Sequence, residues 1–384
     1  MATLRWGMAL LVAAAGAMLV VSGPTGLAAR AGTLAPPASV AEAGVFYGVA
    51  ATSSDNAWAV GGSRFATYLI MHWNGSRWTV SHFGHGQPVT EFAGVAATSA
   101  GNAWAVGSIA RTPGIPHTLA EHWNGKAWKW FYTPTPGGNA LLNGVAATSA
   151  SNAWAVGAIN SGRGRPLIEH WNGRTWTQAR YPATTGAVLH AVAATSARNA
   201  WAVGSTRANS HGSGQTTLIE HWNGKRWTRV PSPNAADRGS LLQGVTATGP
   251  DNAWADGLSL GSTTEKSLIL HWNGKRWSLV HSPNPTGDTD LIGIAAASSG
   301  DAWAVGYTNP SRCGHGPKCG TAAFHWNGKT WVVTPSVNPP AGYLNEFAGV
   351  AVTAAGNAWA VGSTDWGATL IEHWNGKTWT WLPE

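Results

Sequence analysis

The polar and apolar positions of this chain fall into short β-patterned runs that recur in sets of four. In the first set, GVAATS at Gly48 to Ser53 and NAWAVG at Asn56 to Gly61 flank Ser54-Asp55, which reads as a turn. A third run ends in His-Trp and is joined by Asn-Gly to a fourth, as in KRWTRV at Lys225 to Val230. Asn-Gly is a strong hairpin signal because both residues of the tightest turn need positive φ. A proline-bearing segment then breaks the ladder before the next set, as at Pro231 to Pro233 and Thr133 to Pro136. Each set therefore predicts four antiparallel strands.

The set occurs seven times. The second-run tryptophan stands at Trp58, Trp104, Trp154, Trp201, Trp254, Trp303 and Trp359, 301 residues from first to last and about 50 per unit. The HWNG signature begins at His72, His122, His170, His221, His271, His325 and His373, each followed six residues later by a closing tryptophan. Three tryptophans per unit account for 21 of the 25, so their number belongs to the repeat and does not mark a sugar site. Seven such units predict an all-β chain, a closed seven-bladed β-propeller of four-stranded antiparallel blades over residues 46–384, with repeats starting near 48, 94, 144, 191, 244, 293 and 349. Complete blades at both ends predict closure by packing, without an exchanged strand.

The unit resembles the kelch repeat, as found in kelch proteins and in the propeller of galactose oxidase. The resemblance lies in a second strand ending in glycine, with both glycines kept in WAVGG at Trp58 to Gly62, and in a hairpin carrying a late tryptophan. The other copies keep one glycine, and their hairpin reads WNG. GKTW at Gly376 to Trp379 also looks like the tail of the sialidase Asp-box, without its aspartate. The resemblance implies the fold, and no activity is carried over with it.

Composition narrows the class further. Only 11% of the 384 residues are Asp, Glu, Lys or Arg, glycine reaches 49, and mean hydropathy is -0.10. This excludes a charged disordered chain, a coiled coil and a polytopic membrane protein. Residues 1–31 read as a secretory signal peptide, with Arg5 before an apolar core from Met8 to Val21 and small-residue cleavage frames ending at Ala29 and Ala31. Residues 32–45 read as a short linker. An uncleaved anchor is the alternative, but the core falls short of the roughly 20 residues that span a bilayer. The expectation is a secreted, extracellular protein with no membrane span after signal removal. Losing Arg5 and Arg30 would lower the formal charge from +7 to a mildly basic value, which gives no reason to expect a nucleic-acid partner.

The chemistry-bearing residues are few. The seven HWNG histidines occupy the same place in different blades, so they cannot converge on one ion; a structural role beside the hairpin is expected. The residue before each is Glu121, Glu169, Glu220 or Glu372, but Met71, Leu270 or Phe324 elsewhere, a tolerance that predicts a partly exposed strand face. Glycoside hydrolysis usually takes two carboxylates, and Asp256, standing where six repeats have valine, is the single weak catalytic candidate. Cys313 and Cys319 suit a disulfide in an exported chain. Together with His315 they would offer three ligands to zinc, in a spacing that matches no recognised site. No metal and no cofactor are expected.

The second-strand glycine lies 11 to 19 residues before the HWNG histidine, whereas the other intervals are constant. Variation is thus concentrated on one face of the propeller, where binding residues are expected: Arg111, Arg163, Arg165, His211, Tyr307, Arg312 and Trp366, with Phe65, Lys266 and Lys318 beside them. The other face predicts a ring of cations after the Asn-Gly turns, Lys126, Arg174, Lys225, Lys275, Lys329 and Lys377, interrupted by Ser76. Such a ring could hold an anionic polymer or simply keep hairpin corners soluble. The function expected is a monomeric, non-catalytic recognition or scaffold module for extracellular polysaccharide or protein. The alternative is a glycan-active hydrolase or lyase using Asp256.

Overall fold

The computed structural model describes residues 44–62, 68–83, 90–112, 115–160, 164–181, 184–207, 214–235, 238–261, 264–285, 288–308, 319–339, 344–364 and 367–382. They form seven four-stranded antiparallel sheets, each built from four consecutive strands paired in chain order. Blade 1 consists of Val45–Ser53, Asn56–Gly62, Tyr68–Trp73 and Trp78–Phe83, and blades 2 to 7 span 90–131, 140–178, 187–229, 240–280, 289–333 and 345–381. The first strands of neighbouring blades pack side by side around the axis, with Asn345–Ala354 of blade 7 against Val45–Ser53 of blade 1. The ring is therefore an all-β seven-bladed propeller, and among the described residues no strand is exchanged between its ends.

Tryptophans join the blades. Trp58 of blade 1 lies 5.1 Å from Trp123 and edge-on to Trp128 at 5.2 Å, both in blade 2. The same trio recurs at every junction, ending with Trp359 of blade 7 at 4.9 Å from Trp73 and 5.2 Å from Trp78 of blade 1. Each edge-to-face pair contributes about 0.5–1.5 kcal/mol beyond the area it buries.

The HWNG histidines are structural, as expected. His72 Nε2 donates to Asn56 Oδ1 at 2.8 Å, Asn56 Nδ2 donates to Thr52 Oγ1 at 2.7 Å, and the imidazole stacks on Trp58 at 4.1 Å. Burial pushes the His72 imidazole below its ordinary range.

The residue preceding each histidine corrects an expectation. Glu121, Glu169, Glu220 and Glu372 are buried, as are Met71, Leu270 and Phe324. The third strand is internal to its sheet and this side chain packs toward the preceding blade, as Met71 does in one cluster with Trp359. The position tolerates glutamate because the carboxyl finds a partner or stays protonated. Glu121 Oε2 lies 3.3 Å from His82 Nε2, and Glu372 Oε2 accepts from the Val337 amide at 3.1 Å. Burial lifts Glu372 to about 8, against the pull of that amide.

The proline segments do more than end the ladder. Ser267 donates to Pro283 O at 3.0 Å and shares a hydrogen bond with Ser282 at 2.7 Å, while its amide donates to Asn284 Oδ1 at 2.9 Å. Thr217 with Ser232 and Asn234, and Thr321 with Ser336 and Asn338, repeat the clamp, which fastens the chain after the fourth strand to the start of the third.

Candidate functional site

The first strand of every blade carries one residue more than its partner. In blade 1 the register passes from Phe46 opposite Gly61 to Gly48 opposite Val60, leaving Tyr47 unpaired, and the other six blades repeat the jump. A bulge re-aims a side chain. The bulged residues Tyr47, Ala93, Asn143, His190, Gln243, Ile292 and Ala348 are half-buried on the strands that surround the axis. Two residues earlier stand Val45, Leu141, Val188 and Leu241 in blades 1, 3, 4 and 5, but Glu91, Asp290 and Glu346 in blades 2, 6 and 7. First strands begin at the face that carries the variable loops, so these residues lie at the mouth of the central channel on that face.

Half of this mouth is acidic. Tyr307, in the second strand of blade 6 (Asp301–Thr308), donates its hydroxyl to Asp290 Oδ2 at 3.1 Å, and Ser363 donates to Glu346 Oε1 at 3.1 Å. Tyr47 faces both Glu91 and Glu346. Glu265 opens the third strand of blade 5 (Glu265–Trp272), its amide donating to Asp288 Oδ1 at 3.1 Å. Burial raises Asp290 to about 7, reinforced by Glu265 and Asp288 and opposed by the Tyr307 hydrogen bond. Burial also raises Glu346 and Glu265. The hydroxyls of Tyr47 and Tyr307 are pushed far up, by burial first and then by the carboxylates, so both remain donors at ordinary pH. Asp290 Oδ1 is buried and accepts no hydrogen bond.

The other half is different. Leu141, Val188 and Leu241 are half-buried apolar side chains. Asn143 Nδ2 is spent on the Leu189 carbonyl of the next blade at 2.8 Å. Burial pushes the His190 imidazole down to about 4. The mouth can thus offer hydroxyl donors and carboxylate acceptors on one side and apolar contact on the other. Among the described residues, no group of three or more His, Cys, Asp or Glu side chains is arranged to hold a metal ion.

Asp256 is elsewhere. It is fully buried between Gly244 and Ile269 in the sheet of blade 5, and neither oxygen has a well-formed hydrogen bond. Burial lifts its carboxyl to about 8, with the amides of Gly244 and Asp256 itself pulling the other way. It does not open to the mouth, so it cannot touch a substrate there without the blade coming apart.

Of the expected variable-face residues, Tyr307 joins the mouth. Arg165 is exposed on the outer part of blade 3, lining a cavity of about 530 Å³ with Gln178, Ala179, Arg180 and Tyr181. Arg111 falls in the second strand of blade 2 (Asn102–Thr112), and Lys266 is exposed in blade 5. Phe65, Arg163, His211, Arg312, His315, Lys318 and Trp366 lie outside the described residues, as do Cys313 and the whole of residues 1–31. Cys319 is buried and pairs with Leu344 in an isolated bridge. Lys126, Arg174, Lys225, Lys275, Lys329 and Lys377 are all exposed at the Asn-Gly turns of the opposite face.

Tyr47, Glu91, Asp290 and Glu346 escape a reading based on the repeat, because they precede the motif glycine where the repeat was taken to begin. The signal exists: three residues before that glycine, or before Ala191 that replaces it in blade 4, three units have a carboxylate and four have valine or leucine.

No protein-family model matches the sequence, and no curated protein matches it. Solved structures do. YCF48 bound to a D1 peptide is 14% identical with a TM-score of 0.54, covering 87% of this chain and 94% of its own. YCF48 from Cyanidioschyzon merolae is 15% identical at 0.52, covering 88% and 97%. A polysaccharide lyase of family PL25, an ulvan lyase, is 9% identical at 0.57, covering 90% and 97%. These likenesses show the fold.

Proposed function

We propose that this protein is a secreted, non-catalytic recognition module that meets an extracellular carbohydrate or protein segment at the channel mouth of the variable face. The observation that carries the reading is the convergence of Tyr47, Glu91, Asp290, Tyr307 and Glu346 from four blades onto one rim. Fixed donors and acceptors beside apolar side chains are what a binding site uses to orient a ligand. As hydrogen-bond acceptors the carboxyl groups favour neutral or cationic ligands. YCF48 holds a peptide and the ulvan lyase acts on a polysaccharide, so propellers of this shape serve both ligand classes. The export pattern of residues 1–31 supports secretion, and a Cys313–Cys319 disulfide would suit that compartment. The kelch-like character of the repeat rests on its glycine-ended second strand and its late-tryptophan hairpin. A hydrolase or lyase built on Asp256 is the weaker reading, because that carboxyl is enclosed.

The test is calorimetric titration with neutral oligosaccharides and with lysine-bearing peptides, comparing the native protein with a Tyr307→Phe, Glu346→Gln double variant. One class of titrant is expected to bind, and the variant to bind about tenfold more weakly for the loss of one or two hydrogen bonds. Salt-resistant binding would identify the sugar, salt-sensitive binding the peptide. A variant that binds as tightly as the native protein would remove the mouth from the function.

A further inference from the structure

The face opposite the mouth is built from turns of constant length. Every first-to-second turn has two residues, as at 54–55, and every Asn-Gly turn has four, as at 74–77. The face is therefore level. In these turns stand ten exposed cations: the six of the ring, and Arg77, Arg198, Arg226 and Arg276. Only two carboxylates accompany them, Asp55 and Asp251, beside Gly75 and Gly274. The surplus of eight exceeds the formal net charge of +7 for the whole chain, so one face carries the basic character of the protein.

These cations are positioned and unspent. Asn223 Oδ1 accepts the amides of Lys225 and Arg226 at 3.0 and 3.1 Å, and each Asn-Gly turn repeats this clasp, fixing the backbone from which the side chain extends. Among the described residues, the ion pairs within 4.0 Å are His82 with Glu121 and His325 with Asp301, neither involving a member of the ten.

We propose that this face docks an acidic polysaccharide, whose repeated carboxylate or sulfate groups engage several of the cations at once. A level ring of like charges suits a polymer with charge at regular intervals better than a discrete small anion. An anionic bilayer fits less well, because surface binding to lipid also draws on apolar side chains. The exposed large apolar residues, Ile115, Trp130, Tyr132, Leu279, Val332, Val333 and Val337, all lie outside these turns.

The full chain is titrated with dextran sulfate and with polygalacturonate, neutral dextran and vesicles containing phosphatidylglycerol serving as comparisons. Both polyanions are expected to bind and neutral dextran not to. Affinity should fall about tenfold or more as NaCl rises from about 0.05 M to about 0.5 M, where screening shortens to a few ångströms. A Lys126→Glu, Lys225→Glu, Lys275→Glu, Lys377→Glu variant should lose at least about tenfold with its circular dichroism unchanged, and Arg180→Gln, at an exposed cation outside these turns, should lose nothing. If charge reversal unfolds the chain, glutamine at the same four positions replaces it. Salt-insensitive binding, full affinity in the folded variant, or binding to the vesicles in preference to both polymers would overturn the proposal.

Discussion

In six blades an asparagine side chain bridges a threonine hydroxyl and the HWNG imidazole, as Asn152 does between Thr148 at 2.7 Å and His170 at 2.8 Å. Blade 6 departs at both ends of the bridge. The asparagine is Asp301, 2.6 Å from His325 Nε2, and the threonine is Ala297. A carboxylate has no N–H to give to a hydroxyl at this place, and with alanine there Asp301 Oδ2 is left buried without a hydrogen bond. Asp301→Asn alone is expected to leave a nearly buried amide without an acceptor, while Asp301→Asn with Ala297→Thr restores the bridge. A coupling energy of about 1 kcal/mol between them, read from denaturant midpoints, is the expected result. Strict additivity would show that the bridge does not set the pairing.

At the scale of the strand, the first-strand bulge explains a glycine that the repeat pattern merely displayed. The bulge turns a first-strand carbonyl onto the second-strand glycine, so that a Cβ on Gly157 would stand 2.0 Å from the Leu141 oxygen. Backbone cannot retreat from that contact without breaking the ladder. Gly157→Ala is expected to destabilise by more than about 2 kcal/mol, whereas Gly249→Ala, with nothing within 4 Å, should stay within about 0.5 kcal/mol. Equal midpoints for the two variants in urea would contradict the role given to the bulge. The same bulge decides which side chains leave the ladder at the channel, Tyr47 among them, and so couples a packing requirement to the composition of the mouth.

For the whole molecule, the titration of buried groups sets the pH of greatest stability. Asp256 and Glu372 are lifted to about 8, Glu220 to about 7, and Glu169 well above the carboxylate range, all chiefly by burial. In the unfolded chain such carboxyls ionise near pH 4, so between there and pH 8 the folded protein holds more protons and loses stability as pH rises. Buried imidazoles such as His72, His170 and His373 are pushed down instead, and they take stability away as pH falls below about 6.5. The melting temperature is therefore expected to climb from about pH 8.5 to about pH 6.5, and the climb to stop below that, where the imidazoles oppose it. Asp256→Val, which restores the residue of the other six blades, should raise stability at pH 8 by about 1–3 kcal/mol, flatten the slope and leave ligand binding intact. A melting temperature that instead rose with pH across this range would show that these acids are ionised in the fold.

The number of blades, their four strands, the face that varies and the cations at the hairpin tips were legible in the sequence, because each is a local pattern repeated seven times. The tryptophans were legible as part of that pattern, and their meeting across blades followed from it. The depth at which Glu169 lies was not. Tolerance for both glutamate and methionine reads as a partly exposed position, whereas it is a buried one, where burial raises the carboxyl of Glu169 well above its ordinary range. Nor could the sequence assemble Tyr47, Glu91, Asp290, Tyr307 and Glu346, which come from different repeats and meet only when the ring closes. Local strand chemistry is written in neighbouring residues, but proximity around an axis depends on how many blades there are and where each strand bulges, and those are properties of the closed ring.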